Sequence, residues 1–409
     1  MRGGLEHLAG AVLARRLQPR GDRPIAVALS GGGDSLFLLL IADAWANAHS
    51  RELLVLSVDH GLQAQSAAWI AQCATMAKDL NRPFQALCWR GDKPKAGLPA
   101  AARRARHQLL ANAARAAGAS VLLLGHTADD VLEAGAMRAA GSTTPDPREW
   151  APSPVWPEGR GVFVLRPLLG LRRADIRDAL RAEGKIWIED PANEDPRYAR
   201  ARARQSNPEG PVDLAADAPP PLALASEARE ALGLIQLPRQ SLRQAAPAES
   251  ARFLALGVVC AGGADRLPRA AQIDRLTERV RGAACFVTTL AGARLEASED
   301  QVLIFRETGE ARRGGLGAVL ASDGSDVVWD GRFLIPGGPG HVRRLHGLIR
   351  RLPRDQSAAL TRLPGPMRGG LPAMICGETA TCLALDGRAR SLVGARFAAA
   401  AGLVDREPL

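Results

Sequence analysis

The sequence predicts an α/β fold, a doubly wound and mostly parallel sheet followed by a helical middle region and a small α+β module. Three observations carry that prediction. Apolar runs rich in Val, Leu and Ile recur at Ile25–Leu29, Leu53–Val58, Phe84–Cys88 and Val121–Leu124, each followed by a helix-length segment, as buried parallel strands with crossover helices require. A glycine-rich hexapeptide, Ser30-Gly31-Gly32-Gly33-Asp34-Ser35, separates the first run from the apolar stretch Leu36–Ile41. From about Gly317, short β-like runs alternate with Gly and Pro turns, as in Trp329–Gly338.

A strand, a glycine turn and a helix make a phosphate site, because glycines let the backbone approach a polyanion and successive N–H groups at a helix N-terminus supply positive potential. The expected polyanion is a nucleotide. The loop is neither a Gly-x-x-x-x-Gly-Lys loop nor a Gly-x-Gly-x-x-Gly fingerprint. Asp34 beside phosphates would repel them unless a divalent cation lay between, so it reads as a Mg²⁺ contact, with Ser30 and Ser35 as hydroxyl donors. The competing account is that Asp34 or Ser35 only caps the helix.

Asp59-His60-Gly61-Leu62 and Gly125-His126-Thr127 also fall at strand ends, so three motifs converge on the edge where open α/β sheets bind ligands. In His126-Thr127-Ala128-Asp129-Asp130-Val131-Leu132-Glu133, the spacing puts Asp129 or Asp130 and Glu133 on one helical face. Such carboxylates bind a metal or grip an amino group; acidic residues also simply favour a helix N-terminus.

Gly141–Pro157 carries five prolines and reads as an exposed loop over that edge. Ser206–Pro221 reads as a linker, which divides the chain into 1–205, 206–315 and 316–409. In the middle region Leu222–Gly257 and Ala270–Arg281 have helical character, with short strands at Cys285–Leu290 and Gln301–Phe305.

With 409 residues, 46% of them hydrophobic, the chain is long enough for two or three packed domains. It has no bilayer-length apolar stretch and no apolar run after its first basic residue, which predicts a cytoplasmic location. Six cysteines are scattered without Cys-x-x-Cys pairs, which argues against sulfur transfer and iron–sulfur ligation. A net charge of +10 favours an RNA partner; with only four lysines among the 53 basic residues, the charge is nearly all arginine.

The arginines cluster. Arg197, Arg200 and Arg204 lie around Tyr198, the only tyrosine, and suit RNA phosphates with an aromatic ring for stacking. Arg103, Arg104 and Arg106, beside His107, form a second basic face, and Arg343, Arg344, His346, Arg350, Arg351 and Arg354 a third. A solvated helix face is the alternative for each. Trp187, just before Glu189-Asp190-Pro191, reads as packing.

Ser30–Ser35, Val58–Leu62, His126-x-x-Asp129-Asp130-x-x-Glu133, Arg166-Pro167-Leu168-Leu169 and Asp190-Pro191-Ala192-Asn193-Glu194-Asp195 occur in the order found in the bacterial tRNA(Ile)-lysidine synthetases, which are ATP pyrophosphatases with a pyrophosphate loop. The resemblance covers about residues 20–205 and is weaker beyond. It implies an adenine-nucleotide α-hydrolase-like sheet. It also implies ATP and Mg²⁺ as cofactors, and tRNA and free lysine as substrates. The reaction implied is ligation of lysine to the wobble cytidine of an isoleucine tRNA with anticodon CAU, through an adenylylated tRNA. The implied roles are catalysis by Asp34, Asp130 and Glu133; ATP binding by Ser30, Gly31, Gly32, Gly33, Asp34, Ser35, Asp59, His60 and His126; and substrate binding by Arg103, Arg104, Arg106, Asp130, Glu133, Arg197, Arg200 and Arg204. A homodimer is compatible with it. The chain departs from the family at Thr127, where a second His is usual, at Ala134, where Thr is, and at Ala201, where Asn is. A thiolase or amidotransferase-type relative, or a non-enzymatic RNA-binding protein, is the alternative.

Overall fold

In the computed structural model, the four apolar runs predicted as parallel strands lie in one sheet. A helix α1 (Arg2–Arg16) precedes β1 (Ile25–Ala28), which leads through the glycine loop into α2 (Gly33–Ala48). There follow β2 (Leu53–Asp59), α3 (Ser66–Asp79), β3 (Phe84–Cys88), α4 (Leu98–Ala116), β4 (Val121–Leu123) and α5 (Ala128–Ala139). Then come β5 (Trp150–Pro152), β6 (Phe163–Leu165), α6 (Arg173–Ala182) and α7 (Ala199–Gln205). The structure describes all residues except 1, 64, 92, 95, 143–146, 154–159, 191–198, 207–219, 314, 321–325 and 409. Two compact units divide the chain: residues 1–219 with 404–409, and residues 220–403.

In the first unit the strand order is β3-β2-β1-β4-β6-β5. All pairings are parallel except β5 with β6. The chain runs outward from β1 to β3 and resumes on the other side at β4, so the topological switch point lies between β1 and β4. Ile25, Val27, Leu36–Leu39, Val55, Val121 and Leu123 are buried on one face, and Ala26, Leu56, Leu110 and Leu122 on the other. Burying each such side chain contributes about 1.5–3 kcal/mol, which makes this sheet a rigid base for its strand-end loops.

Two expectations change here. The run Phe84–Cys88 is parallel but forms the sheet edge, and Gln85, Ala86 and Cys88 are exposed; its apolar composition does not reveal that it has one neighbour instead of two. Of the proline-rich stretch expected to be a loop, Trp150–Pro152 forms β5, with Trp150 stacked on Phe163 at 4.9 Å. Pro152 is tolerated because β5 pairs on one side only.

The second unit carries two cores. Helices α8 (Ala223–Glu227), α9 (Arg239–Gln244), α10 (Pro247–Gly262) and α11 (Ala270–Arg281) accompany a five-stranded sheet of order β7-β8-β11-β10-β9. Its strands are β7 (Arg229–Ala231), β8 (Leu234–Pro238), β9 (Phe286–Leu290), β10 (Ala293–Ala297) and β11 (Gln301–Arg306). The stretch read as helical therefore contains β7 and β8, because Ile235–Pro238 pairs with Gln301–Ile304, a distant partnership that overrides local propensity. The last helix (Val393–Ala401) places Val393, Phe397 and Ala401 in this core. The other core gathers Trp329, Phe333, Ile335 and Val342 between a three-stranded and a four-stranded sheet.

Candidate active site

Backbone conformation shapes the loop between β1 and α2. Gly31 has φ +82°, and a Cβ there would lie 2.2 Å from Cδ1 of Ile188, so glycine is required on two counts. Ile188 also donates its N–H to the Gly31 carbonyl at 2.8 Å. A Cβ on Gly125, just beyond β4, would come within 3.1 Å of the Asp34 backbone, so glycine lets the segment after β4 pack against the first turn of α2. The Ser35 hydroxyl donates to the Gly32 carbonyl at 2.8 Å and lies 3.1 Å from Oγ of Ser30. Ser35 is buried and its hydroxyl closes the loop, whereas Ser30 is exposed at the rim.

Asp34 occupies the first turn of α2. Its Oδ2 accepts from Nε of Arg173 at 3.0 Å, and its buried Oδ1 has no hydrogen-bond partner among the described residues. Burial raises the Asp34 pKa above the ordinary carboxylate value, and the Arg173 charge offsets part of that rise. Arg173, the first residue of α6, also reaches Glu133 Oε1 at 2.9 Å and Asp130 Oδ2 at 3.7 Å. One guanidinium thus ties the phosphate loop to the carboxylates of α5. The sequence offered no sign of this, since Arg173 looks like an ordinary charged residue at a helix start.

The α5 acidic residues cap their helix and pair with arginines. Asp130 Oδ2 accepts the Thr127 N–H at 2.7 Å and its hydroxyl at 3.0 Å, reciprocal capping of the helix start. Thr127 is fully buried, so the residue that replaces the family's usual His acts as an N-cap here. The other Asp130 oxygen accepts from Arg200. Glu133, 2% exposed, accepts from Arg173, Arg200 and Arg204, each at 2.9 Å. Asp129 turns elsewhere, to Arg172 at 3.0 Å and to the Arg173 N–H at 2.7 Å. Arg200 and Arg204, expected to face RNA, lie on carboxylates through α7, whose Ala201 and Ala203 are buried. Ala134, the third departure, is buried on α5. Arg197, Tyr198 and the Pro191–Asp195 motif lie outside the described residues.

On the β4 side of the crevice, His126 Nδ1 accepts from Nε of Arg166 at 2.8 Å, which leaves the proton on Nε2. Burial, then Arg166 and other arginines, hold His126 well below the usual imidazole range. Arg166 is buried; its pKa is pushed down to about 9 by burial and by Arg103 and Arg106. Arg106 follows, down to about 10. Its neighbour His107 is 3% exposed, and neither ring nitrogen has a partner among the described residues. Arg104 is exposed. At the end of β2, Asp59 Oδ1 accepts the Gly61 N–H at 2.7 Å, while burial and Arg106 lower the pKa of His60. Trp187 packs beside Gly33, with ring atoms 3.6 Å from where a Cβ would stand, as expected of a packing residue.

Residues 6–208 match the family model described as a PP-loop domain. The chain is 49% identical to tRNA(Ile)-lysidine synthase of Caulobacter vibrioides, over 97% of this chain and 98% of that protein. The corresponding enzyme of Hyphomonas neptunium is 33% identical over 75% of this chain and 89% of its own length. Among solved structures, the U34-tRNA thiolase NcsA from Methanococcus maripaludis matches 50% of this chain and 73% of its own, with 14% identity and a TM-score of 0.42. With a phosphate loop at the β1/β4 switch point and near full-length identity to such an enzyme, the chain belongs to the tRNA(Ile)-lysidine synthase family.

Proposed function

We propose that the protein joins the ε-amine of free lysine to C2 of the wobble cytidine in an isoleucine tRNA with anticodon CAU, at the expense of ATP, releasing AMP and pyrophosphate. The observation that carries this reading is the Arg173 link between Asp34 in the phosphate loop and Glu133 in the carboxylate cluster. It places groups suited to a polyphosphate and groups suited to an ammonium within one side chain's reach.

The residues divide the work. Backbone N–H groups of Gly31–Gly33 at the start of α2, with the Ser30 hydroxyl, bind the phosphates. The buried Oδ1 of Asp34, without a partner among the described residues, is a hard oxygen donor that fits Mg²⁺, an ion commonly held by one or two carboxylates together with substrate phosphates. Among the described residues no group of three or more His, Cys, Asp or Glu is placed to hold a metal. Bound there, Mg²⁺ would neutralise the departing pyrophosphate. Asp59, His60 and His126 border the nucleotide at the other strand ends.

Arg106, Arg166 and the exposed Arg103 and Arg104 supply positive charge for nucleotide and RNA phosphates, and Arg197 adds to them. Arg200 and Arg204 exchange partners: when RNA phosphates take their guanidiniums, Asp130 and Glu133 are left to receive the lysine ammonium. In the first step O2 of cytidine attacks the α-phosphate and pyrophosphate leaves. In the second, lysine gives up a proton to a carboxylate and its neutral amine bonds to C2, as the C2–O bond to AMP breaks. The arginine group of Arg343, Arg344, Arg350, Arg351 and Arg354 in the second unit contacts RNA through backbone phosphates. No helix among the described residues is long and apolar enough to cross a membrane; tRNA modification in the cytoplasm is the setting we infer.

The test is direct: incubate the protein with ATP, labelled lysine and tRNA transcripts bearing CAU or an altered anticodon. Label should enter only the CAU transcript, with AMP as co-product. Release of ADP, or labelling independent of ATP, would overturn the reading.

A further inference from the structure

The chain leaves the first unit at Pro219 and re-enters it at Val404, and the returning residues are tied down more firmly than a surface strand needs. Glu407 is 2% exposed and Arg51 is 4% exposed. The two pair at 2.7 Å and 3.1 Å, and the second Glu407 oxygen also accepts the Gln18 N–H at 2.8 Å. Glu407 donates its own N–H to the Arg16 carbonyl at 2.7 Å, and Arg16 donates to the Asp405 carbonyl at 2.6 Å. A buried ion pair with all these bonds satisfied fixes a backbone position; half of one would be costly.

This anchorage continues toward the site. Trp150 of β5 donates from Nε1 to the Val404 carbonyl at 2.7 Å, while its neighbour Glu149 accepts from Arg15 at 2.7 Å and Arg16 at 2.9 Å. The Glu149 carbonyl accepts the Arg166 N–H at 2.8 Å and the Arg148 carbonyl accepts from the Arg166 guanidinium at 2.7 Å. Arg166 in turn holds Nδ1 of His126. The Arg51–Glu407 pair is buried, and the links through Trp150 and Arg166 are partly buried.

We propose that Val404–Glu407 is a strap whose docking on α1 and β5 fixes the Arg148–Trp150 backbone and, through Arg166, sets the orientation and tautomer of the His126 imidazole. Glu407, Trp150 and Arg166 are then positioning residues. The functional weight of the strap rests on the reading of His126 as part of the nucleotide site; its mechanical part does not.

Two variants test it in the full protein. Trp150→Phe keeps the ring on Phe163 and removes only the donor to Val404. Deletion of residues 404–409 combined with Arg51→Leu removes the strap without stranding a buried guanidinium. The His126 Nδ1 resonance, identified in ¹⁵N-histidine spectra by its absence from His126→Gln, reports the Arg166 bond directly. In both variants it should move toward the value of an imidazole nitrogen that accepts no hydrogen bond. AMP formation should slow about 2- to 30-fold with little change in the KM for tRNA, the range over which such networks couple sites. An unmoved resonance in both folded variants would overturn the strap. A moved resonance with unchanged AMP formation, there and in His126→Gln, would confirm the strap and instead remove His126 from the nucleotide site.

Discussion

Two sides of one crevice solve opposite electrostatic problems. On the α5 side, Asp34, Asp129, Asp130 and Glu133 each meet an arginine, from among Arg172, Arg173, Arg200 and Arg204. On the β4 side, Arg103, Arg106 and Arg166 lower one another's pKa values or that of His126, and no carboxylate among the described residues offsets them. Like charges gathered without counter-charge cost energy that only an arriving anion can recover. The first side is poised to exchange partners, the second to gain one. The predictions below try to break that distinction.

The largest effect should follow loss of the one acid that belongs to the phosphate loop. Asp34→Ala should lower AMP and pyrophosphate formation by at least about 10²–10³-fold, the scale for removing one preorganised electrostatic contact, while tRNA affinity stays within a few-fold. Retention of AMP formation in the variant would return Asp34 to helix capping.

Glu133→Gln comes next. If the carboxylate receives the lysine ammonium, its loss costs about 2–3 kcal/mol, or about 30- to 150-fold in lysine KM, and adenylylated tRNA accumulates. If Glu133 serves only to hold Arg173, Arg200 and Arg204 in place, adenylylation itself stops and lysine KM is unchanged. Pulse labelling with ATP alone, followed by a lysine chase, separates the two.

A smaller effect distinguishes the arginines. Arg106→Ala, on the uncompensated side, should weaken anion binding outright, and the slope of log K for tRNA against log salt should fall by about one per lost phosphate contact. Arg204→Ala should flatten the slope similarly only if partner exchange occurs. An unchanged slope for Arg204→Ala beside a reduced one for Arg106→Ala would make the α7 arginines a fixed part of the carboxylate network.

What the sequence revealed was local. Apolar runs placed β1 to β4 within a residue or so, and Gly31–Gly33 marked the phosphate loop, because strand burial and left-handed backbone leave their mark on adjacent residues. The three-residue interval between Asp130 and Glu133 likewise marked one helical face. Three features were invisible. Arg173 reaches Asp34 across 139 positions, Arg51 meets Glu407 across 356, and β8 becomes a strand by pairing with β11. Each is a tertiary partnership between residues whose neighbours in sequence carry no trace of it. Arg166 sat within a recognised motif, yet its role depends on the distant His126.

The smallest effect at neutral pH is also the cleanest probe of the uncompensated side. His107 lies buried beside Arg106, and its pKa is pushed down to about 2, by burial first and then by Arg106, Arg103 and Arg166. The native protein therefore leaves this ring neutral while the unfolded chain protonates it at about pH 6.5. Between those values the unfolded state holds the extra proton, so stability rises with pH; it is undiminished above about pH 6.5 and is lost below it at up to about 1.4 kcal/mol per pH unit. His107→Leu fills nearly the same space with no titrating group, and should leave urea midpoints at pH 8 close to wild type while flattening their decline between pH 6.5 and 5. His126, also held neutral, accounts for part of what decline remains. A variant whose midpoints fall in parallel with wild type would mean that an acid reaches these residues in solution. The β4 side would then be compensated after all, and the contrast between the two sides of the crevice would disappear.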